Sequence, residues 1–312
     1  MSTCSGLSLM SGGLDSQLAV KVLERAGAHV EGVCFATPFF SPESAKKAAA
    51  ALGVNLHVVD FTDDEIALIE NPPHGFGGAM NPCIDCHATM IRRAGELMTR
   101  LGYDFVATGE VMGQRPMSHN KQSLGIVERS SGLAGRLVRP LSARLLEPTI
   151  PELEGKLDRN LLLDISGRCR DPQIKLAKEF GIVDYPSPAG GCKLTEEGFG
   201  RKLQDLMEHE GLKVRRLVEL LTVGRHMRLP DGTGLVVGRD RLENGILRDE
   251  ARTSPLGHEI VEAPEKLPGP TALLIGGAKS EADRVLSERI VAAYTKGSGV
   301  TDRSFFKPYQ IC

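Results

Sequence analysis

A turn rich in glycine and serine, Ser11-Gly12-Gly13-Leu14-Asp15-Ser16, follows a short apolar run near the start of the chain. Glycine lets the chain turn sharply and lets main-chain N–H groups approach an anion. Leucine and valine then recur at helical spacing over Gln17–Ala26, which predicts a helix directly after the turn. Since the positive end of that helix would point at the turn, the segment predicts a site for a di- or triphosphate. The hydroxyls of Ser11 and Ser16 can add hydrogen bonds, whereas Asp15 suits a role with Mg²⁺ or in ordering the loop.

The alternative for this segment is a plain Gly-Gly turn capped by aspartate or serine. The pattern is neither G-x-x-x-x-G-K-[ST] nor G-x-G-x-x-G, so the usual P-loop and dinucleotide-binding motifs do not apply. It does match SGGxDS at every position, and the chain thereby resembles the PP-loop ATP pyrophosphatases. That resemblance implies ATP with Mg²⁺, and a substrate oxygen that attacks the α-phosphate to give an adenylated substrate and pyrophosphate. It also implies a set of ATP-binding residues, namely Ser11, Gly12, Gly13, Asp15, Ser16, Phe35 at the end of the second strand and Gly109 after a later one.

A pair of cysteines occurs in the string Asn-Pro-Cys-Ile-Asp-Cys-His, where Cys83 and Cys86 stand three positions apart beside a predicted helix. Thiols at this spacing converge on one point, which suits a metal or a redox pair. A third cysteine, Cys192, follows two glycines that permit a close approach. One alternative is a structural zinc held by these three and His87 or another ligand. Others are simple buried cysteines, or the Cys-x-x-Cys-His attachment of haem c, which requires export.

The combination of SGGxDS, Asn-Pro-Cys-x-x-Cys and Gly-Gly-Cys resembles the sulfur-transfer branch of the PP-loop family, the tRNA thiouridine synthetases. The resemblance covers roughly residues 5–195 and implies catalytic roles for Asp15, Cys83, Cys86 and Cys192. It implies either a disulfide or persulfide on the cysteines, or a [4Fe–4S] cluster ligated by Cys83, Cys86 and Cys192, with zinc as the alternative. The implied partners are tRNA and a sulfur donor, either inorganic sulfide or a donor protein.

Basic residues predict where RNA would bind. Between Ala107 and Arg144 the chain has six basic residues against two acidic ones, although the whole protein has a net charge of −2. We expect Gln114 and Arg115 in this stretch to face the substrate, the alternative being a solvated loop. Aromatic residues are 4% with no tryptophan, so base stacking is not expected to dominate.

Two strings near the C-terminus, residues 223–228 and 237–244, resemble the RNA-binding module of NFACT proteins over about residues 215–297. An ordinary small α+β domain with surface arginines is the alternative. The resemblance implies phosphate contacts from Arg225, Arg228, Arg239 and Arg241.

The elements that must position these residues alternate between strand-like and helix-like runs up to about Gly109. Such alternation predicts an α/β fold, a Rossmann-like doubly wound parallel sheet, with a hairpin over Glu128–Leu141 and a second, smaller α+β domain. We place the domains at 1–208 and 209–312, and we expect tight turns at Asp231-Gly232 and Glu243-Asn244-Gly245. With 312 residues, no basic and apolar leader after Met1 and no stretch of ~20 apolar residues, we expect a cytoplasmic protein without a membrane partner. Seven cysteines, an odd number, argue against a disulfide framework.

Overall fold

The computed structural model describes residues 4–115, 118–187, 191–264, 267–300 and 302–312. The chain divides into two compact units, Met1–Cys192 and Lys193–Cys312. The helix Glu197–His209 packs against the helix Arg215–Leu220 and belongs to the second unit. The division between the units therefore precedes this helix, whereas the sequence predicts it at residue 208. Over the described residues, no helix is long and apolar enough to cross a membrane.

The first unit is built on the predicted parallel sheet. Its strands are β1 (Ser5–Leu9), β2 (His29–Ala36), β3 (Leu56–Asp60), β4 (Phe105–Ala107) and β5 (Leu137–Val138). All neighbouring pairs are parallel, in the order β3-β2-β1-β4-β5. The chain thus winds from β1 toward one edge and then returns to add β4 and β5 on the other side. This reversal creates a switch point between β1 and β4, where open α/β sheets bind ligands.

Helices cover both faces of this sheet. They are α1 (Leu14–Arg25), α2 (Glu43–Leu52), α3 (Thr62–Glu70), α4 (Cys83–Leu101), α5 (Lys121–Ser131), α6 (Ile150–Leu153) and α7 (Asp171–Glu179). One apolar core takes Leu18 of α1, Ala48 of α2 and Ala177 of α7, and a second takes Ile91 of α4 and Val127 of α5. The two cores confirm a doubly wound α/β fold.

The predicted hairpin over Glu128–Leu141 is wrong, because most of its first arm belongs to helix α5. Asn120 caps that helix by accepting a hydrogen bond from the Ser123 amide at 2.9 Å. Gly132 ends it in the left-handed conformation, with φ of 72°. The glycines that suggested a hairpin turn are therefore a helix C-cap and the short link to β5.

The second unit is a small α+β structure, as predicted. Its strands are β6 (Arg225–Arg228), β7 (Gly234–Val237), β8 (Glu259–Glu262) and β9 (Thr271–Leu274), in an antiparallel sheet of order β6-β7-β9-β8. Its helices are α8 (Glu197–His209), α9 (Arg215–Leu220), α10 (Arg241–Thr253) and α11 (Glu281–Tyr294).

One of the two predicted turns of this unit is present and the other is not. Asp231-Gly232 joins β6 to β7, with Gly232 at φ of 90°. Glu243-Asn244-Gly245 instead lies inside α10, because the Asp240 side chain caps that helix by accepting from the Glu243 amide at 3.0 Å.

Candidate active site at the carboxyl edge of the parallel sheet

The glycine-rich turn joins β1 to α1 and is held by its own hydroxyl groups. The Gly13 amide donates to Ser11 Oγ at 3.3 Å, and Ser16 Oγ donates to the Gly13 carbonyl at 2.8 Å. Gly12 has φ of +82°, and a Cβ atom there would lie 2.3 Å from the carbonyl carbon of Ser44. Only glycine fits this turn, so the geometry agrees with a loop that wraps closely around a ligand.

Helix α1 begins at this turn with its first amides open to an anion. Gly13 is the N-cap, and within the described parts of the chain no side chain caps the helix. The buried Gln17 fixes the turn from behind, because its Nε2 donates to the carbonyls of Gly12 (3.0 Å) and Asp184 (3.1 Å). Main-chain amides and the positive end of α1 therefore lie at this turn, which is the arrangement that would suit a phosphate.

The end of β4 closes the switch point against the start of α1. A Cβ atom at Gly109 would lie 2.6 Å from the Asp15 carbonyl carbon, so the two main chains touch. Gln114 reaches the same place, since its Nε2 donates to Asp15 Oδ2 at 2.9 Å. The other Asp15 oxygen, Oδ1, is buried and has no hydrogen-bond partner among the described residues. An orphaned carboxylate oxygen beside a phosphate loop fits a Mg²⁺ ligand.

The two remaining residues predicted at this site differ in exposure. Arg115 is exposed next to Gln114, in keeping with a substrate contact. The side chain of Phe35 lies in the apolar core and packs edge-on against Phe61, with ring centroids 5.4 Å apart. Only main-chain atoms of Phe35 could therefore contact adenine, and that contact stays a prediction.

Two of the three cysteines of interest lie in one helix, and the third acts electrostatically on one of these two. Cys83 and Cys86 stand in the first turns of α4, where Asn81 Nδ2 donates to Cys83 Sγ at 3.1 Å. Burial raises the pKa of the Cys86 thiol well above its ordinary value, and the nearby negative charges of Glu65, Cys192 and Cys83 raise it further. The electrostatic influence of Cys192 on Cys86 means that residues far apart in sequence approach each other here.

A buried carboxyl group is the immediate partner of Cys86. The Cys86 thiol donates to Glu65 Oε2 at 3.0 Å, and Glu65 is only 1% exposed. Burial raises the pKa of Glu65 to about 7, against the hydrogen bond from Cys86, which lowers it. Nothing in the local sequence of α3 suggested this contact, because Glu65 reads as one of several acidic residues in the first turn of a helix.

A second buried polar group joins α4 to the end of β4 and was also missed. Arg139 is one of the six basic residues between Ala107 and Arg144. It is only 3% exposed and donates hydrogen bonds to Glu110 Oε2 and to Glu128 Oε2, both at 2.9 Å. His87 Nδ1 lies 3.2 Å from Glu110 Oε1. Although burial alone would raise it, the pKa of Glu110 is held far below its usual range by Arg139 and His87. Burial lowers the pKa of the neighbouring His119 to about 4.

The arginines predicted to bind RNA in the second unit differ in whether their side chains are already paired with carboxylates. Arg228 is bound to Asp205 (2.5 Å) and to Glu210 (2.7 Å) and is largely buried, so it stabilises this unit and is not available to phosphate. Arg239 pairs with Glu243. Arg225 lies over the Tyr294 ring, 4.8 Å from its centroid, and Arg241 is exposed at the start of α10.

Two family models match this chain. Residues 2–142 match the model described as thiamine biosynthesis protein (ThiI), and residues 224–303 match the NFACT protein RNA binding domain. Both halves of the resemblance drawn from the sequence are therefore confirmed.

Curated relatives and a solved structure are similar to this chain over different lengths. A tRNA-specific 2-thiouridylase MnmA from Roseiflexus sp. is 25% identical over 96% of this chain and 91% of its own length. A probable tRNA sulfurtransferase from Caldanaerobacter subterraneus is 31% identical over 43% of this chain, which spans only 35% of that relative. A crystal structure of a 4-thiouridine synthetase–RNA complex with bound ATP covers 70% of this chain and 53% of its own, with 20% identity and a TM-score of 0.41.

Proposed function

We propose that this protein is an ATP-dependent enzyme that replaces an oxygen of a tRNA uridine by sulfur. The observation that carries the proposal is that one site joins a phosphate loop to cysteines. His87, next to Cys86, contacts Glu110, and the preceding Gly109 touches the main chain of Asp15. The names of the two curated relatives, a 2-thiouridylase and a tRNA sulfurtransferase, support tRNA thiolation as the reaction.

In the first step of this proposal, ATP binds with its pyrophosphate on the amides at the start of α1. The uridine oxygen attacks the α-phosphorus, the bond to the β-phosphate oxygen breaks, and pyrophosphate leaves. Asp15 would hold Mg²⁺ through Oδ1, which has no hydrogen-bond partner among the described residues, and the bound ion would supply positive charge for the leaving group. Gln114 keeps that carboxylate in place through its bond to Oδ2. The product is a uridine whose oxygen is now part of a good leaving group.

In the second step, sulfur displaces AMP from the activated carbon. A persulfide on Cys192 supplies the attacking sulfur, and a second cysteine of the site then attacks Cys192 Sγ. That attack releases the thiolated uridine and leaves a disulfide between the two cysteines, which an external reductant must reduce. After that reduction, a donor protein that carries a persulfide transfers its outer sulfur to the Cys192 thiolate and leaves as a thiol. Inorganic sulfide would instead attack Cys192 Sγ of the disulfide, which regenerates the persulfide and frees the second cysteine as a thiol without the reductant.

The contacts of Cys86 favour this thiol chemistry over a [4Fe–4S] cluster. As an iron ligand, Cys86 would be a thiolate in direct contact with the buried carboxyl of Glu65, so a cluster requires Glu65 to be protonated. With a pKa of about 7, Glu65 carries that proton in only part of the molecules at neutral pH. The thiol form has no such requirement, so we route the proposed reaction through the thiols.

Single replacements of Cys83, Cys86 and Cys192 by alanine test the proposal. Each should remove most of the tRNA thiolation, while tRNA-dependent release of pyrophosphate and formation of adenylated tRNA continue, because the adenylation step does not use the thiols. The matched controls are Cys169→Ala and Cys312→Ala, since both of these cysteines are exposed and outside the site. Both controls should retain thiolation.

Three results would contradict particular parts of this account. AMP release that is independent of tRNA indicates a small-molecule substrate. About four irons per chain after anaerobic purification, with activity lost in air, establishes the cluster in place of the persulfide. Bound zinc on the cysteines together with full activity returns them to a structural role.

A further inference from the structure

We propose that His87, Glu110 and His119 form a binding site for a divalent transition-metal ion, distinct from the three cysteines and from Mg²⁺ at Asp15. Each residue offers one ligand atom, and these atoms all lie within 4.8 Å of one another. They come from the start of α4, from the turn after β4 and from the segment before α5. Three elements that are separate in sequence therefore present ligands to one point.

The distances already approach those of a metal site. His87 Nδ1 and Glu110 Oε1 are 3.2 Å apart. Two ligand atoms bound at about 2.1 Å from one ion at a tetrahedral angle lie about 3.4 Å apart. These two atoms therefore need almost no movement, and only the imidazole of His119 has to move closer.

His119 provides an independent indication of a missing partner. Its side chain is 6% exposed, and neither Nδ1 nor Nε2 has a hydrogen-bond partner among the described residues. Buried imidazoles almost always bond through at least one nitrogen. Its ring centroid is 6.3 Å from that of His87, so an ion held by His87 and Glu110 would supply the missing partner.

The surroundings of Glu110 are those of a metal-ligating carboxylate. Its second oxygen, Oε2, accepts hydrogen bonds from Arg139 Nε (2.9 Å) and Thr108 Oγ1 (3.0 Å), and Oε1 is left to face the two histidines. Carboxylate ligands are commonly oriented in this way by an outer layer of donors. Arg139 also pairs with Glu128, so one positive charge is shared between two carboxylates and the group retains a negative charge that attracts a cation.

The donor set selects the class of ion. Two imidazoles and one carboxylate suit Zn²⁺ and Fe²⁺, whereas Mg²⁺ prefers oxygen ligands and retains its water. His119 also anchors the segment that carries Gln114, because the Gly113 amide donates to the His119 carbonyl at 2.7 Å. An ion bound here would hold that segment, and with it the contact between Gln114 and Asp15, against the phosphate loop.

Cobalt and zinc binding to the full chain tests this site without any activity assay. In a variant with Cys83, Cys86 and Cys192 all changed to serine, we expect one Co²⁺ per chain, with visible d–d bands and no thiolate-to-metal charge-transfer band. Addition of His119→Ala should weaken Co²⁺ and Zn²⁺ binding by roughly 100-fold or more, since a ligand is lost. The matched control is His57→Ala, because His57 lies on β3 and pairs with Glu31 at 2.6 Å.

The same comparison in the protein with its cysteines intact guards against a misfolded triple variant. There, His119→Ala should remove one Zn²⁺ per chain and leave any thiolate-to-cobalt band unchanged. Metal binding that disappears with the cysteines alone, or an affinity that His119→Ala leaves within twofold of the parent, overturns the proposal. Because only metal binding is measured, these results do not depend on whether the enzyme thiolates tRNA.

Discussion

The candidate functional residues of the two units differ in what their polar side chains are bound to. At the sheet edge of the first unit, Asp15 Oδ1 and both ring nitrogens of His119 are buried without a partner among the described residues. In the second unit, Arg228 and Arg239 are each bound to carboxylates of the same unit. A buried group without a partner is costly, so it is retained where a ligand completes it, whereas a paired arginine contributes to the fold.

This difference shows why a count of basic residues in a sequence is a poor guide to RNA contacts, since the count includes arginines that are paired inside the fold. Arg139 and Arg228 were both counted as basic residues for RNA, and both are buried in ion pairs. Arg225 and Arg241 remain the better candidates for phosphate contacts, since Arg241 is exposed and Arg225 stacks on an aromatic ring. The following experiments test the contrast between unpartnered and paired groups.

The largest effect is expected at Asp15. Asp15→Ala should lower the rate of AMP and pyrophosphate formation about 100-fold or more, because the proposed Mg²⁺ ligand is lost. The fold should survive, since the change removes the hydrogen bond from Gln114 and no apolar packing is known to depend on this side chain. Pyrophosphate release measures the rate, and Glu43→Ala on the nearby exposed face of α2 is the control. Near-normal turnover in Asp15→Ala would remove this residue from the reaction.

A large loss of stability is expected at Arg228. Arg228→Ala leaves Asp205 and Glu210, both mostly buried, without their cation, and should cost about 3–5 kcal/mol of the free energy of unfolding of this unit. Denaturant unfolding measures the change. Arg252→Ala is the control, because its pair with Asp249 is 76% exposed on the arginine side and is worth at most about 1 kcal/mol. Equal effects of the two changes would refute the structural role of Arg228.

A moderate effect on RNA binding is expected at Arg225 and Arg241. Replacing both with glutamine should weaken tRNA binding and reduce the slope of log affinity against log salt by roughly one unit per lost phosphate contact. Titrations at several salt concentrations measure the slope, with Arg252→Gln as the control. An unchanged slope would place the RNA contacts elsewhere.

The smallest effect is a pH dependence caused by His226. Burial, together with the positive charge of Lys202, lowers the pKa of this histidine to about 4, against hydrogen bonds to the main chain and the charge of Asp205, which raise it. In the unfolded chain the pKa is about 6.5, so protons bind the unfolded state first as the pH falls. Stability should be complete above pH ~6.5 and fall toward pH ~4 by up to about 1.4 kcal/mol per pH unit. His226→Gln should flatten that dependence, and an identical slope would assign it to other groups.

Much of the fold could be predicted from local patterns. The parallel sheet followed from alternating strand and helix runs, and α1 covers most of the helix predicted after the glycine-rich turn. The errors arose where the local signal was ambiguous. Gly132 suggested a hairpin but ends a helix, and Glu243-Asn244-Gly245 suggested a turn but follows a strong cap at Asp240.

The sequence predicted the phosphate loop of the site but not the buried carboxyl groups around it. The phosphate loop is contiguous in sequence, so its geometry follows from six residues in order. Glu65 and Glu110, by contrast, acquire their partners only through folding, because the residues that contact them lie 21 and 29 positions away. Their burial depends on packing between helices, which periodicity alone does not specify.

The contact between Gly109 and Asp15 limits which substitutions this chain can accept at position 109. Because the two segments meet through main-chain atoms, even a methyl group at position 109 has to displace the phosphate loop or the end of β4. No compensating change of a neighbouring side chain can make room, since no side chain occupies the gap. In a library of all substitutions, position 109 should therefore tolerate nothing but glycine, while Asp15 opposite it admits folded but inactive variants.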